Sequence, residues 1–466
     1  MDLSDPAQRQ AWIDDLGTVF AGRRVIAGIA PLAGLVDLVP LTTRDAGADG
    51  LMFVANGTGA GPVPSADDGR VVLVEVERYP TMTEELRAHD NLVRDLPDAV
   101  RAEVDDFDPD RKAVWLVGPF VANEPIEGRD VVGGRRRSWI ALEDKIVAEE
   151  IWSAVGAAQS PYRVVPADRP DLLDEASAAL DAGSGVVWSG DARDGFNGGG
   201  EFVRWVTDAA EREAALAFFA PRCDRVRVMP FLEGVPCSIH GMVLPDGTAV
   251  FRPVELAILR DAGRRFVYGG QGTSWDPADR DREEMRDLVR RTGEHLRERA
   301  DYRGAFGIDG VMTADGFRPT ELNPRFSGGL NTLARGVGHA AFSLLQYALV
   351  AGRDPGVSTA ELELWALAAM DAERVVKPLA VSDRRVVEES REVRLSWDGE
   401  RLRRDDGGRL TLVVGPSAAG TFSKLVPDGA VRPGERVGPL NVALMRFLDE
   451  ELGTGFGPVE AAPDVR

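Results

Sequence analysis

The chain has 466 residues, 44% of them hydrophobic, enough to bury sizeable cores in two to four units. Its 55 Lys and Arg against 76 Asp and Glu leave a formal charge of −21 with no basic block, which argues against nucleic acid and anionic membranes as partners. Two cysteines, Cys223 and Cys237, offer no disulfide framework, and "MDLSDPAQRQAW" has neither a basic nor an apolar leader region, so the cytoplasm is the expected compartment.

From Val25 to about Phe120, strand-type apolar runs ("VIAGIA", "LMFVANG", "VVLVEVE", "AVWLVGPF") alternate with polar or helix-like stretches, as in an open α/β sheet. "NGTGAGP", Asn56 to Pro62, lacks the G-x-G-x-x-G spacing and reads as a plain turn. Near Leu142 the pattern changes. "LEDKIVAEEIWSAVG" sets Val147, Ile151 and Val155 four apart and predicts an amphipathic helix with Lys145 in its first turns. Next come "PYRVV", a helix over "DLLDEASAALDAG", and a hairpin made of "GVVW" and "EFVRWV" around a glycine-rich tip, Gly190 to Gly200. Several further strands lead to a long charged helix at about Asp279 to Ala300. From about Val375 the chain is strand-rich and charged, ending in a helix near "NVALMRFLDEEL". The expected organisation is therefore α/β (α+β), with units at residues 1–140, 141–370 and 371–466, the second divided near residues 229–234.

The stretch "AFGIDGVMTADGFRPTELNPRFSGGL", Ala305 to Leu330, reads as two strands carrying acids and an amide where buried strands carry Val or Ile. Glu321 and Asn323 are two apart and share a face. A three-residue loop, Ala314-Asp315-Gly316, would pair Thr313 with Phe317 and set Asp309 opposite Glu321, whereas a two-residue loop would set Asp309 against Leu322, on the wrong side. Two carboxylates and an amide oxygen so placed repel one another unless protonated or bridged by a cation, and an all-oxygen set suits Mg²⁺. On the hairpin alone, ordinary surface acids are an equal reading.

Motif order decides more. "GIDGVMTADGFRPTELNPR" resembles the metal-binding end of the ATP-grasp superfamily, an acid on one strand and E-x-N-x-R on the next. "LEDKIVAEEIWSAVGAAQSPYRVV" is similar to that family's D-K helix and following strand, and "VRVMPFLEGVPCSIHGMVLPDG" to its hinge strand and F-x-E-G turn. The layout, and "GRRRSWIALEDK", further resemble the pheganomycin-type peptide ligases, with a pre-ATP-grasp N-terminal domain and an additional C-terminal domain. The resemblance implies ATP and Mg²⁺ as cofactors and a metal set of Asp309, Glu321 and Asn323. It implies Lys145 on the nucleotide phosphates, with Gly198 and Gly199 in the loop that closes over them. Met229, Phe231 and Leu232 would line the adenine, and Glu233 would lie near the ribose. Arg325 would stabilise phosphate charge, and Arg252, Glu255 and Arg260 lie where such folds hold acceptor substrates. The strand entering the glycine-rich loop usually ends in a phosphate-contacting lysine. Here it ends in Trp188, and Arg204 is expected to take over that charge, ahead of Arg193.

The reaction implied is ligation of an amino-acid-like or N-capped carboxylic acid to an amine or peptide through an acyl phosphate, releasing ADP and phosphate, in natural product biosynthesis. A nucleotide-binding regulatory or scaffold protein without catalysis is the alternative, and carboxylation a third outcome. The four histidines have no zinc spacing, and neither a G-x-S-x-G elbow nor a Walker loop is present. Oligomeric state is left open, a homodimer among the options.

Overall fold

In the computed structural model, residues 1–466 are described apart from 40, 41, 43–46, 77, 78, 192, 194–199, 264 and 430, with backbone only at 82 and 83. The first helix, α1 (Pro6–Gly17), starts where Asp5 accepts from the Ala7 and Gln8 N–H groups and a proline fills the first turn. There follow β1 (Arg24–Ala30), α2 (Leu32–Leu35), β2 (Gly50–Ala55), β3 (Arg70–Leu73), α3 (Met82–Arg94), α4 (Asp98–Phe107), β4 (Val114–Ala122) and β5 (Asp130–Arg135). The five strands form a parallel sheet in the order β3-β2-β1-β4-β5. Both faces are covered, which is why β1 and β2 read as continuous apolar runs rather than alternating ones. Strand order reverses at β1, so the carboxyl ends of β1 and β4 open a crevice of the kind that holds ligands in such sheets. Phe120 lies near that end of β4.

A short 3₁₀ turn at Arg137–Glu143 leads into α5 (Lys145–Ala154), whose N-cap Asp144 accepts from Ile146 and Val147 N–H. Then β6 (Arg163–Pro166), α6 (Pro170–Leu180), β7 (Val186–Gly190), β8 (Val203–Val206), α7 (Ala209–Phe219) and β9 (Arg225–Pro230) form a small unit. Its antiparallel sheet runs β6-β9-β7-β8, with α6 and α7 packed on one face around Trp188, Val226 and Val228.

The rest builds one large antiparallel sheet. Its strands are β10 (Val235–Leu244), β11 (Gly247–Val250), β12 (Val254–Asp261), β13 (Phe266–Gly272), β14 (Gly304–Thr313) and β15 (Gly316–Asn323). They continue through β16 (Val376–Ser382), β17 (Arg391–Trp397), β18 (Leu402–Arg404), β19 (Leu410–Ser417), β20 (Gly420–Pro427) and β21 (Val459–Glu460). The helices are α8 (Asp279–Ala300), α9 (Gly328–Val337), α10 (His339–Val350), α11 (Thr359–Ala372) and α12 (Val437–Leu452). The main path is β15-β14-β10-β12-β13-β16-β20-β19-β17-β18. Helices α5 and α8 cover one face through Cys237, Ile239, Ile308 and Leu322. Helices α9 to α11 and the N-terminal sheet cover the opposite face.

The strand-rich segment after residue 371, expected as a separate unit, shares this sheet: β13 pairs with β16, Gln271 opposite Lys377. Helix α12 packs against β12 as well as against the later strands. Among the described residues no helix is long and apolar enough to cross a membrane.

Candidate functional site

The β14–β15 hairpin turns through two residues, Ala314 and Asp315, with Thr313 paired to Gly316 rather than to Phe317 as expected. That loop alone would set Asp309 against Thr320, on the wrong side. A bulge at Thr320 inserts one residue after Pro319 and restores the face, so that Asp309 does lie opposite Glu321 and Gly307 opposite Asn323. Thr320 anchors the bulge by donating its hydroxyl to the Asp309 carbonyl at 3.3 Å. The right juxtaposition thus arises by a different device from the one the loop sequence suggested.

Around this pair runs a chain of charged hydrogen bonds. Asn323 Nδ2 donates to Asp309 at 2.9 Å, and Arg325 donates to Asn323 Oδ1 at 2.8 Å and to Glu143 at 3.0 Å. Glu143, fully buried, also accepts from Arg135 of β5. Burial alone would raise the Glu143 pKa, but the Arg325 and Arg135 guanidiniums outweigh it and hold the carboxyl below its usual range. Arg325 also stacks 4.5 Å from the Phe120 ring, which brings the crevice of the N-terminal sheet onto the site. Asp309 shows the opposite balance. Burial and the neighbouring Glu321 charge push it up to about 6. On β10, opposite Asp309, stands Ser238, whose hydroxyl lies 3.3 Å from His240 Nε2. His240 is buried, and desolvation with the nearby Arg325 charge lowers its pKa to about 3, so it stays neutral.

Lys145 opens α5 and reaches Glu321 at 3.0 Å from a buried position. Beside it is a residue that the motif reading missed, Arg227 of β9. Its Nη1 donates to the Lys145 carbonyl at 3.2 Å, to Glu149 at 2.5 Å and to the Thr320 carbonyl at 3.0 Å. One buried arginine therefore ties the small sheet to α5 and to the bulge. Its signal in the sequence was an arginine alternating with apolar residues in "DRVRVMP".

Trp188 requires a correction. It faces the helices of the small unit, fully buried, with its indole N–H on Ser177 at 2.9 Å. Arg204 lies directly opposite it across β7–β8 and so on the same face, over the Phe218 ring at 3.9 Å and donating to the Val203 carbonyl. Neither points to the side of the sheet that carries Arg227 and Met229, so Arg204 is not placed to replace a phosphate-contacting lysine. Gly198 and Gly199 lie outside the described residues. Arg193 is turned to Asp224 at 3.0 Å.

At the junction of the two sheets, Met229 is buried, Leu232 is half-buried and Glu233 is exposed and paired with Arg260 at 2.6 Å. Phe231 stacks on Trp205 with ring centroids 4.0 Å apart, and Arg260 lies 4.9 Å above the Phe231 ring. Arg252, expected where acceptor substrates are held, binds Asp276 and Asp371, a network shared with Arg374. Glu255 caps α12, accepting from Val437 N–H at 2.9 Å and from Arg436 at 2.8 Å.

Among the described residues no three His, Cys, Asp or Glu side chains converge as a metal cage. The donor set at Asp309 is two carboxylates, whose mutual repulsion a cation would relieve, beside the Asn323 amide. That fits Mg²⁺, which takes few protein ligands and completes its shell with phosphate and water.

A family model described as an ATP-grasp domain matches residues 193–329. Three solved structures are similar over nearly their whole length. Phosphoribosylamine–glycine ligase from Thermotoga maritima is 14% identical over 91% of this chain and 95% of that one, at a TM-score of 0.51. Carboxyaminoimidazole ribonucleotide synthase from Aspergillus clavatus, complexed with ATP, is 10% identical over 92% and 99%, at 0.52. The biotin carboxylase domain dimer of Hydrogenobacter thermophilus 2-oxoglutarate carboxylase, with MgADP and bicarbonate, is 14% identical over 95% and 91%, at 0.54. No curated protein matches the chain in sequence. The hinge between a small antiparallel sheet and a large one, preceded by an open parallel sheet, is thus the ATP-grasp fold.

Proposed function

We propose that this protein is an ATP-dependent ligase that joins a carboxylic acid to an amine, with Asp309, Glu321 and Asn323 holding Mg²⁺. The observation that carries the reading is Asp309 opposite Glu321, with Lys145 3.0 Å from Glu321 and Arg325 tied to Asn323. The similar structures solved with ATP or MgADP support the choice of nucleotide. In the first step a carboxylate oxygen of the donor attacks the γ-phosphorus and ADP leaves. In the second, the amine attacks the acyl phosphate carbonyl, phosphate departs and the nitrogen loses a proton. When bound, Mg²⁺ neutralises phosphate charge as the γ-phosphoryl group transfers.

The chain's own residues do the positioning. Lys145 supplies a cation from a helix N-terminus, and Glu143 with Asn323 holds the Arg325 guanidinium, leaving donors for phosphate. Met229 to Leu232 offer an apolar seat for adenine. An amino-acid-like donor and an amino acid or peptide acceptor follow from the resemblance to peptide ligases.

The test is product analysis: purified protein with Mg²⁺, ATP and a panel of acids and amines, following ADP, phosphate and AMP. ADP and phosphate in equal amounts with an amide product are expected. Stoichiometric AMP would overturn the route, and ADP binding without turnover on any pair would favour a non-catalytic nucleotide sensor.

A further inference from the structure

Directly opposed residues across antiparallel strands share a face. Followed along the large sheet, the face that carries Asp309 and Ser238 continues to Gln271 of β13, Lys377 of β16 and, through Leu379, Lys424 of β20. Helix α9 lies over this face and sets Thr332 against Gln271, whose Nε2 donates to the Thr332 hydroxyl at 2.6 Å. Arg335, one turn further along the same helix, reaches the Lys377 end. This face therefore changes character along its length, from carboxylates, through neutral hydrogen-bonding groups, to cations.

The cationic end is built from parts of the chain far apart in sequence. Lys377 and Lys424 are both half-buried, and among the described residues neither has a carboxylate within ion-pair distance. Burial, Lys424 and Arg335 together lower the Lys377 pKa against the weaker opposing pull of Asp37. The Lys424 ammonium sits by Gly61 of the N-terminal sheet: a Cβ added there would lie 3.4 Å from its Nζ. The "NGTGAGP" turn thus lies beside the cationic end of this face, with positive φ at Gly59 and Gly61. Two half-buried ammonium groups with no ion-paired carboxylate among the described residues, in a chain of net charge −21, are favourably placed to take an anion.

We propose that Lys377 and Lys424, with Arg335 at the rim, bind the anionic far end of an elongated substrate, a carboxylate or a phosphate. Four strand steps separate Asp309 from Lys377, roughly 19 Å across the sheet, the reach of about six extended residues. A short peptide with a free carboxylate, or a phosphorylated chain of that length, spans it. This inference rests on the ligase reading for the reacting end alone.

Four lysines make the test direct. The full-length protein is acetylated with a limiting amount of an amine-reactive reagent, and each lysine is read by mass spectrometry with and without millimolar inorganic phosphate or succinate. Protection of Lys377 and Lys424 by at least threefold, with the exposed Lys112 unchanged, is expected, and the stronger protector identifies the anion class. Equal labelling with and without both anions, or equal protection of Lys112, overturns the proposal. As a second readout, either anion should raise the thermal midpoint of the parent protein and leave that of K377M/K424M unmoved. ADP binding is measured alongside. Nucleotide binding without lysine protection sinks this inference and spares the ligase reading, whereas protection without nucleotide binding does the reverse.

Discussion

Asp309 and His240 stand on the same sheet face yet respond to pH in opposite directions. Asp309 titrates near 6 in the folded protein against about 3.9 in an unfolded chain. Between those values the folded form holds a proton that the unfolded form has lost, so stability contributed at Asp309 falls as pH rises through roughly 4 to 6. Asp309→Asn removes that cost and is expected to stabilise the free protein at pH 7 by on the order of 1–3 kcal/mol, as read by thermal unfolding, while abolishing turnover. A variant both destabilised and active would refute the placement. Glu321→Gln should likewise fold and be inactive. His240 is held near 3, and His89, also by burial, near 4, both below about 6.5 in the unfolded chain. Their contribution is fully present above about pH 6.5 and is lost as pH falls towards those values. In proton NMR neither imidazole should titrate between pH 5 and 8, and a midpoint near 6.5 for His240 would contradict its burial.

Arg227 shows how one buried charge joins elements. Arg227→Met would leave the buried Glu149 carboxylate with the Gln159 amide but no cation and is expected to cost about 3–5 kcal/mol, whereas Arg227→Met with Glu149→Met should recover most of that loss. Chemical denaturation of the single and double variants measures the difference, and a double variant no better than the single would remove Glu149 from the account. The same strands mark how far the sequence can be read. Lys145 at the head of its helix, the charged helix Asp279–Ala300 and the β7–β8 hairpin follow from periodicity and turn chemistry. The face of Trp188 does not. In "GVVW" both faces are apolar, so alternation cannot say which one meets the helices, and a one-residue slip exchanges every side chain. The bulge at Thr320 was equally hidden, because neither Pro319 nor Thr320 announces an extra residue. Arg252 and Glu255 look like site residues by position and turn out to be anchored by Asp276, Asp371 and the head of α12, partners far away in sequence.

At the scale of the molecule, the small unit meets the large sheet through the Trp205–Phe231 stack, with Phe266 on β13 a further 6.1 Å from Trp205. An adenine seated between Met229 and Leu232 has to disturb that stack. ADP is therefore expected to change the emission of the parent protein, and Trp205→Phe should lose most of that signal despite the eight remaining tryptophans. An unchanged signal in the variant would place the base elsewhere.

The pairing of β13 with β16 also bears on whether the protein can be shortened. A chain ending before residue 371 would leave the Phe266–Gly272 backbone as a raw strand edge and strip α12 from Ala257 and Leu259. Bare edges recruit other strands. Such a fragment, though it would retain every residue assigned here to nucleotide and metal, is expected to self-associate, which light scattering would detect. The segment after residue 371 then acts as a seal on the sheet that carries Asp309 and Glu321, and any descendant that discarded it would need a new cover for that edge.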